Sequence, residues 1–181
     1  MGFLERKVVY FGDPGPQNSG KVREAVEQRI AEGDVRVIVV ASTSGDTGAK
    51  FARALKGAAT VIAVSYEEMK PTYKRQILEY DGKAFDKTHL ALEAKEMDDV
   101  RRSYKVFGQG FKVAVEVILI ASDIGAVELH KDVIGVGGTG NGADTAIIAR
   151  ATTSKDIFTE NKAKKLEIRE IIAMPVRKHW W

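Results

Sequence analysis

The chain predicts a three-layer α/β/α domain with a mostly parallel sheet and an antiparallel C-terminal edge. Three observations carry this expectation. Short runs of β-branched and other apolar residues at 35–41, 60–65 and 133–136, bounded by glycine or turn residues, read as buried strands. Segments with apolar residues at helical spacing alternate with them, and that alternation implies parallel strands joined by crossover helices. The return from Val136 to Thr145 is too short for such a helix, so the strands flanking it are expected to be antiparallel. At 181 residues with 44% hydrophobic content, the chain is expected to form one domain, 1–181, around a proper core.

The elements follow in order. Residues 8–11 read as a short strand, ended by Gly12-Asp13-Pro14-Gly15-Pro16. Asn18 or Ser19 is placed to cap a helix to about Glu32, with Val22, Ala25, Val26, Arg29 and Ile30 on one face. After Gly33-Asp34 come the strand at 35–41, a loop, and a helix from Thr47 to about Leu55. A strand at 60–65, a helix at 72–80 and a short strand at 83–86 lead to Lys87-Thr88-His89. Helical pattern resumes at 92–104, and a longer helix spans 111–124. Strands at 133–136, 145–151 and 166–176 complete the chain.

Composition excludes several functions. Cysteine is absent, which removes disulfides, thiol catalysis and thiolate metal sites, and no spacing suggests another metal site. The net charge is only +3 and no basic stripe is interleaved with aromatics, so nucleic acid is not the expected partner. The first residues lack a signal peptide's apolar core. The longest apolar stretch, 113–124, is interrupted by Glu116 and Asp123 and is too short to span a bilayer. A cytoplasmic location without membrane association is therefore expected. The end from Met174 to Trp181 is a candidate contact for a homo-oligomer.

Two loops carry most of the functional signal: Thr43-Ser44-Gly45-Asp46-Thr47-Gly48, and Gly137-Gly138-Thr139-Gly140-Asn141-Gly142-Ala143-Asp144. Small hydroxyl residues and glycines at strand ends expose backbone N–H groups at close range, as a phosphate requires. In a parallel sheet both loops fall at the carboxyl rim, where ligands sit. The first loop is expected to cradle phosphate through Thr43, Ser44 and Thr47; an ordinary strand-to-helix turn capped by Thr47 is the plainer reading. In the second, glycines admit a flat ring or polyol, with Asn141 and Asp144 positioned to hydrogen-bond it; a flexible hairpin is the alternative.

Other candidates are weaker. His89 is a candidate acid or base without an assignable carboxylate partner, and a structural histidine is the more ordinary reading. Gln109-Gly110 heads the helix carrying Lys112 and Glu116; it either borders the ligand or lets the helix pack closely. Residues 15–22 nearly form a P-loop, but Val22 replaces the magnesium-binding hydroxyl and Pro16 removes an amide donor.

The segment from Val35 to Gly48, followed by Ala58-Ala59-Thr60-Val61-Ile62-Ala63-Val64-Ser65, resembles the C-terminal α/β domain of pyruvate kinase. More of the chain is similar to stand-alone, largely archaeal proteins built on that domain. The strings concerned are Tyr10-Phe11, Pro14-Gly15, Asn18-Ser19, Thr88-His89, Phe107-Gly108-Gln109-Gly110-Phe111-Lys112-Val113-Ala114-Val115-Glu116, and Gly138 to Ala146. The resemblance covers nearly the whole chain, departing at 66–87 and in the Trp180-Trp181 tail. It implies that the first loop receives a phosphate and that the ligand is flavin mononucleotide (FMN). The implied cofactor-binding set comprises Ser42, Thr43, Ser44, Gly45, Thr47 and Gly48; Thr88, His89 and Gln109; and Gly138, Thr139, Gly140, Asn141, Gly142 and Asp144. Pyruvate kinase activity is not implied, because its barrel domain alone takes about 250 residues. A flavin-dependent oxidoreductase and a sugar-phosphate effector-sensing module are the alternatives.

Overall fold

The structure, a computed structural model, describes residues 2–180; Trp181, the last residue of the predicted tail, lies outside the described residues. Seven strands form one sheet: β1 (Val9–Phe11), β2 (Val37–Ala41), β3 (Thr60–Val64), β4 (Lys83–Phe85), β5 (Asp132–Gly137), β6 (Thr145–Arg150) and β7 (Ile168–Pro175). Their spatial order is β1-β7-β6-β5-β2-β3-β4. β5, β2, β3 and β4 pair in parallel, as do β1 and β7. β6 runs against both its neighbours, β5 and β7. The antiparallel portion is thus C-terminal in sequence, as expected, and the short return at 138–144 produces it.

The helices are α1 (Ser19–Ile30), α2 (Asp46–Ala54), α3 (Pro71–Glu79), α4 (Asp98–Lys105) and α5 (Gln109–Asp123). Strand alternation sorts the core into two layers. Ile38, Val40, Ala63, Ile134 and Val136 pack with α1, α2 and α3, whereas Val39, Ile62, Val64, Val133 and Ile147 pack with α5. α5 is buried along nearly its whole length from Gly110 to Ser122, which explains its almost continuous apolar sequence. Full burial of side chains such as Ile118 and Leu119 stabilises the fold by about 1.5–3 kcal/mol each.

Glycine brings α5 directly onto β5. A Cβ at Gly137 would collide with the Gly110 carbonyl and the Ala114 amide, and one at Gly135 with the Ala114 carbonyl. One at Gly110 would strike Asp144 and Thr145. Gly110 therefore serves close packing, whereas its neighbour Gln109 borders the cavity described below.

Some expectations need correction. Neither Asn18 nor Ser19 caps α1 through its side chain. A 3-10 turn over Pro16–Asn18 leads into the helix, which frees Asn18 Nδ2 to donate to the Asp13 carbonyl at 2.8 Å. Ser19 Oγ donates to the Pro16 carbonyl at 2.7 Å and accepts from the Ala143 amide at 2.9 Å. The helix expected at 92–104 begins only at Asp98, after a 3-10 turn over Lys95–Met97. Residues 88–94 instead form a strap across α5, because the buried Glu116 carboxylate captures the Leu92 amide at 3.0 Å. Among the described residues, no helix is long and apolar enough to cross a membrane.

Candidate functional site

Because β2, β3 and β5 are parallel, their carboxyl ends share one rim of the sheet. The first loop leaves β2 there and the second leaves β5. Between them lies a cavity of about 380 Å³, lined by Ser42, Thr43 and Thr47 from one loop and by Gly138, Gly140, Asn141 and Gly142 from the other. Aliphatic groups of Val64, Val113, Val117 and Ile120 form its apolar wall, and Leu90 from the strap contributes to the lining. Thr47, Asn141 and Gly142 also face a second cavity of about 380 Å³, bordered by the starts of α1 and α2.

The first loop is shaped by the start of α2. Gly45 occupies the cap position in the left-handed region, at φ 93°, and a Cβ there would lie 2.8 Å from Tyr73 Cβ. Thr47 is not the cap. Ser42, buried at the end of β2, accepts the Gly48 amide on its Oγ at 2.9 Å. The amides of Thr43 and Thr47 form no hydrogen bond among the described residues. Asp46, a carboxylate beside the expected phosphate position, is paired with Lys50 at 2.6 Å.

The second loop is held from within. Asp144 is completely buried; its Oδ2 accepts the amides of Gly15 and Thr139, each at 3.0 Å, and its Oδ1 accepts the Thr145 hydroxyl at 2.8 Å. The amides of Gly138, Gly140, Asn141 and Gly142 form no hydrogen bond among the described residues. Both loops thus line the cavity with residues whose backbone amides have no acceptor among the described residues.

Not every predicted site residue reaches this cavity. Asp144, expected to contact the ligand, is a clasp joining the second loop to the Gly15 turn, and Thr139 is one of its donors. Gly45 and Gly48 support the first loop from behind; a Cβ at Gly48 would lie 2.6 Å from Ala63 Cβ. Ser44 accepts the Lys70 amide on its carbonyl and does not line the cavity. Thr88 bonds the Ser65 carbonyl through both its amide and its hydroxyl, fastening the strap to the end of β3. His89 lies outside the cavity and meets Asp123 at the far end of α5, Nε2 to Oδ2 at 2.9 Å. Asp123 also accepts the Ser154 amide at 2.8 Å, so the pair ties surface elements together. Lys21 of the near P-loop pairs with Glu24 on the exposed face of α1.

From sequence, Lys112 and Glu116 are simply charges on the helix headed by Gln109, with no assigned place in the site. Both line the cavity and both are buried, 5% and 3% exposed, far below what charged groups tolerate unpaired. Lys112 Nζ lies 2.9 Å from Glu116 Oε2 and 3.5 Å from Glu93 Oε1. Glu93 pairs in turn with Arg101. The signal was present: two charges four residues apart inside an otherwise apolar helix. Nearby, Gln109 accepts its place at the head of α5 by donating its amide to the His179 carbonyl at 3.1 Å, which folds the C-terminal segment against the helix start. Burial pushes the Lys178 ammonium of that segment below its ordinary pKa, with Asp144 opposing the shift. No protein-family model matches the sequence.

Proposed function

We propose that this protein binds a phosphorylated small molecule, FMN above all, at the carboxyl rim of its sheet. The observation that carries the reading is that two loops from separate strand crossings, whose cavity-lining residues have amides without an acceptor among the described residues, meet at one cavity with an apolar wall. The start of α2 adds the positive end of a helix dipole, and Thr43 and Thr47 add hydroxyls. A volume of about 380 Å³ falls in the range of small-molecule sites. FMN fits the character of the lining: the amide-rich loops suit its phosphate and ribityl chain, and the aliphatic wall suits its isoalloxazine. When bound, FMN supplies reversible one- and two-electron transfer.

Recognition follows from the parts. Loop amides and hydroxyls replace the hydration of the phosphate, while Val113, Val117 and Ile120 exclude water from the ring. The likeness of the loop strings to the pyruvate kinase C-terminal domain and its stand-alone relatives supports the choice of FMN. A cytoplasmic protein with a small-molecule partner, rather than a nucleic acid, accords with this reading. Titration of purified protein with FMN, followed by flavin fluorescence, tests it. Saturable quenching that fructose bisphosphate does not displace is expected. Displacement by the bisphosphate assigns the site to a sugar-phosphate effector, and absence of quenching ends the flavin reading.

A further inference from the structure

The cavity between the two loops also contains an aromatic side chain that the protein leaves uncovered. Tyr66 lies just beyond the carboxyl end of β3 and is the one aromatic residue of that lining among the described residues. It is 49% exposed. Leu90 of the strap, part of the same lining, is exposed as well. A single exposed aromatic is ordinary on a protein surface. One held firmly at the edge of a ligand cavity is not.

The backbone on both sides of Tyr66 is fixed. Ser65 is buried; its amide donates to the Phe85 carbonyl at 2.9 Å, and its carbonyl accepts the amide and the hydroxyl of Thr88, each at 3.1 Å. Its Oγ donates to the Thr43 carbonyl at 3.1 Å and accepts the Glu67 amide at 3.0 Å. The Glu67 carbonyl accepts the Lys87 amide at 3.3 Å. Tyr66 therefore sits between two residues tied to β4, to the strap and to the first loop. Its side chain has only two torsions to settle, so covering its ring costs little conformational entropy.

The rest of the lining narrows the ligand chemistry. Its charges are paired within the protein, Lys112 with Glu116 and Glu93 with Arg101. Val64, Val113, Val117 and Ile120 share the lining with Tyr66 and Leu90 and offer nothing to a hydroxyl. A sugar phosphate filling this space would bury its hydroxyls against groups that cannot bond them, whereas a planar aromatic ring would not. We infer that Tyr66 lies against the planar ring of the ligand and selects aromatic phosphate esters over sugar phosphates. Contact between two rings adds to what their buried area alone supplies. The inference rests on the proposed flavin reading and deepens it: Tyr66 chooses the ring, as the loops choose the phosphate.

The test is calorimetric titration of the wild type, Tyr66→Phe and Tyr66→Ala with FMN and with ribitol 5-phosphate, which keeps the polyol and phosphate of FMN but lacks its ring. Tyr66→Ala is expected to lose about tenfold in FMN affinity, and Tyr66→Phe to stay within about threefold of the wild type. Ribitol 5-phosphate is expected to bind the wild type and Tyr66→Ala equally, or neither. Unchanged FMN affinity in Tyr66→Ala overturns the inference while leaving the flavin reading intact. Equal weakening of both ligands in Tyr66→Ala also overturns it, by making the residue a support for the site. So does a loss in Tyr66→Phe as large as in Tyr66→Ala, which assigns the effect to the hydroxyl. Failure of the wild type to bind FMN overturns both.

Discussion

The two glycine-rich loops reach the same cavity by different physical means. The first is built by a helix start. Gly45 turns the chain, Ser42 takes one amide of the first turn of α2, and further amides stay open. The second has no helix behind it. A buried carboxylate, Asp144, gathers donors from the loop, from β6 and from the Gly15 turn more than a hundred residues away. Local chain geometry thus shapes one half of the site, and a long-range clasp shapes the other. Similar compositions therefore predict different sensitivities to substitution.

Removing the clasp is the most damaging way to break this contrast. Asp144→Ala leaves the Gly15 and Thr139 amides and the Thr145 hydroxyl without their acceptor in a closed environment. A loss of about 3–4 kcal/mol is expected, read from the midpoint of urea unfolding. Retention of wild-type stability would mean that the second loop holds itself.

Glycine substitutions sharpen the comparison at smaller cost. Gly45→Ala combines a left-handed backbone with a Cβ pressed against Tyr73, and is expected to cost about 2–3 kcal/mol. Gly140→Ala in the second loop meets a similar φ of 79° but open space, so about 1 kcal/mol is expected. Thermal melts of the two variants should separate them in that order. Ser42→Ala removes the acceptor for the Gly48 amide and should cost about 1 kcal/mol in the same assay.

The smallest effect depends on pH. Asp86 supports the wall beside the first loop; the Lys74 ammonium, with help from the Met69 amide, holds its carboxyl below the ordinary aspartate value of 3.8. A carboxyl with a depressed pKa in the folded state contributes stability above the unfolded value, and that contribution fades as pH falls below it. Exchange of the Met69 amide is therefore expected to accelerate as pH drops below about 4 relative to its intrinsic rate, and Asp86→Asn should flatten this dependence.

Much of the architecture was legible because its causes are local. β-branched runs marked β2, β3 and β5, and the short return after Val136 announced an antiparallel neighbour for β5. The two loops were visible for the same reason, as glycines and hydroxyls directly after strands. What escaped the sequence depends on partners distant in the chain. Asp144 reads like a ligand contact until Gly15 is known to sit on its oxygen. His89 shows no partner because Asp123 lies 34 residues away on a helix whose direction the sequence leaves open. Residues 92–97 have enough helical pattern to mislead, and Glu116 reaching the Leu92 amide explains why the chain there does not join the helix that begins at Asp98. The charges of Lys112 and Glu116 were plain, but their membership of the cavity required that path.

The most direct measurement of the central claim is the ratio of affinities for FMN and riboflavin, determined by calorimetric titration at fixed salt. If amides from both loops grip a phosphate, FMN should bind at least about tenfold more tightly, since hydrogen bonds to a charged group are each worth about 1.5–3 kcal/mol. Equal affinity for the two flavins, or binding of neither, would contradict the account.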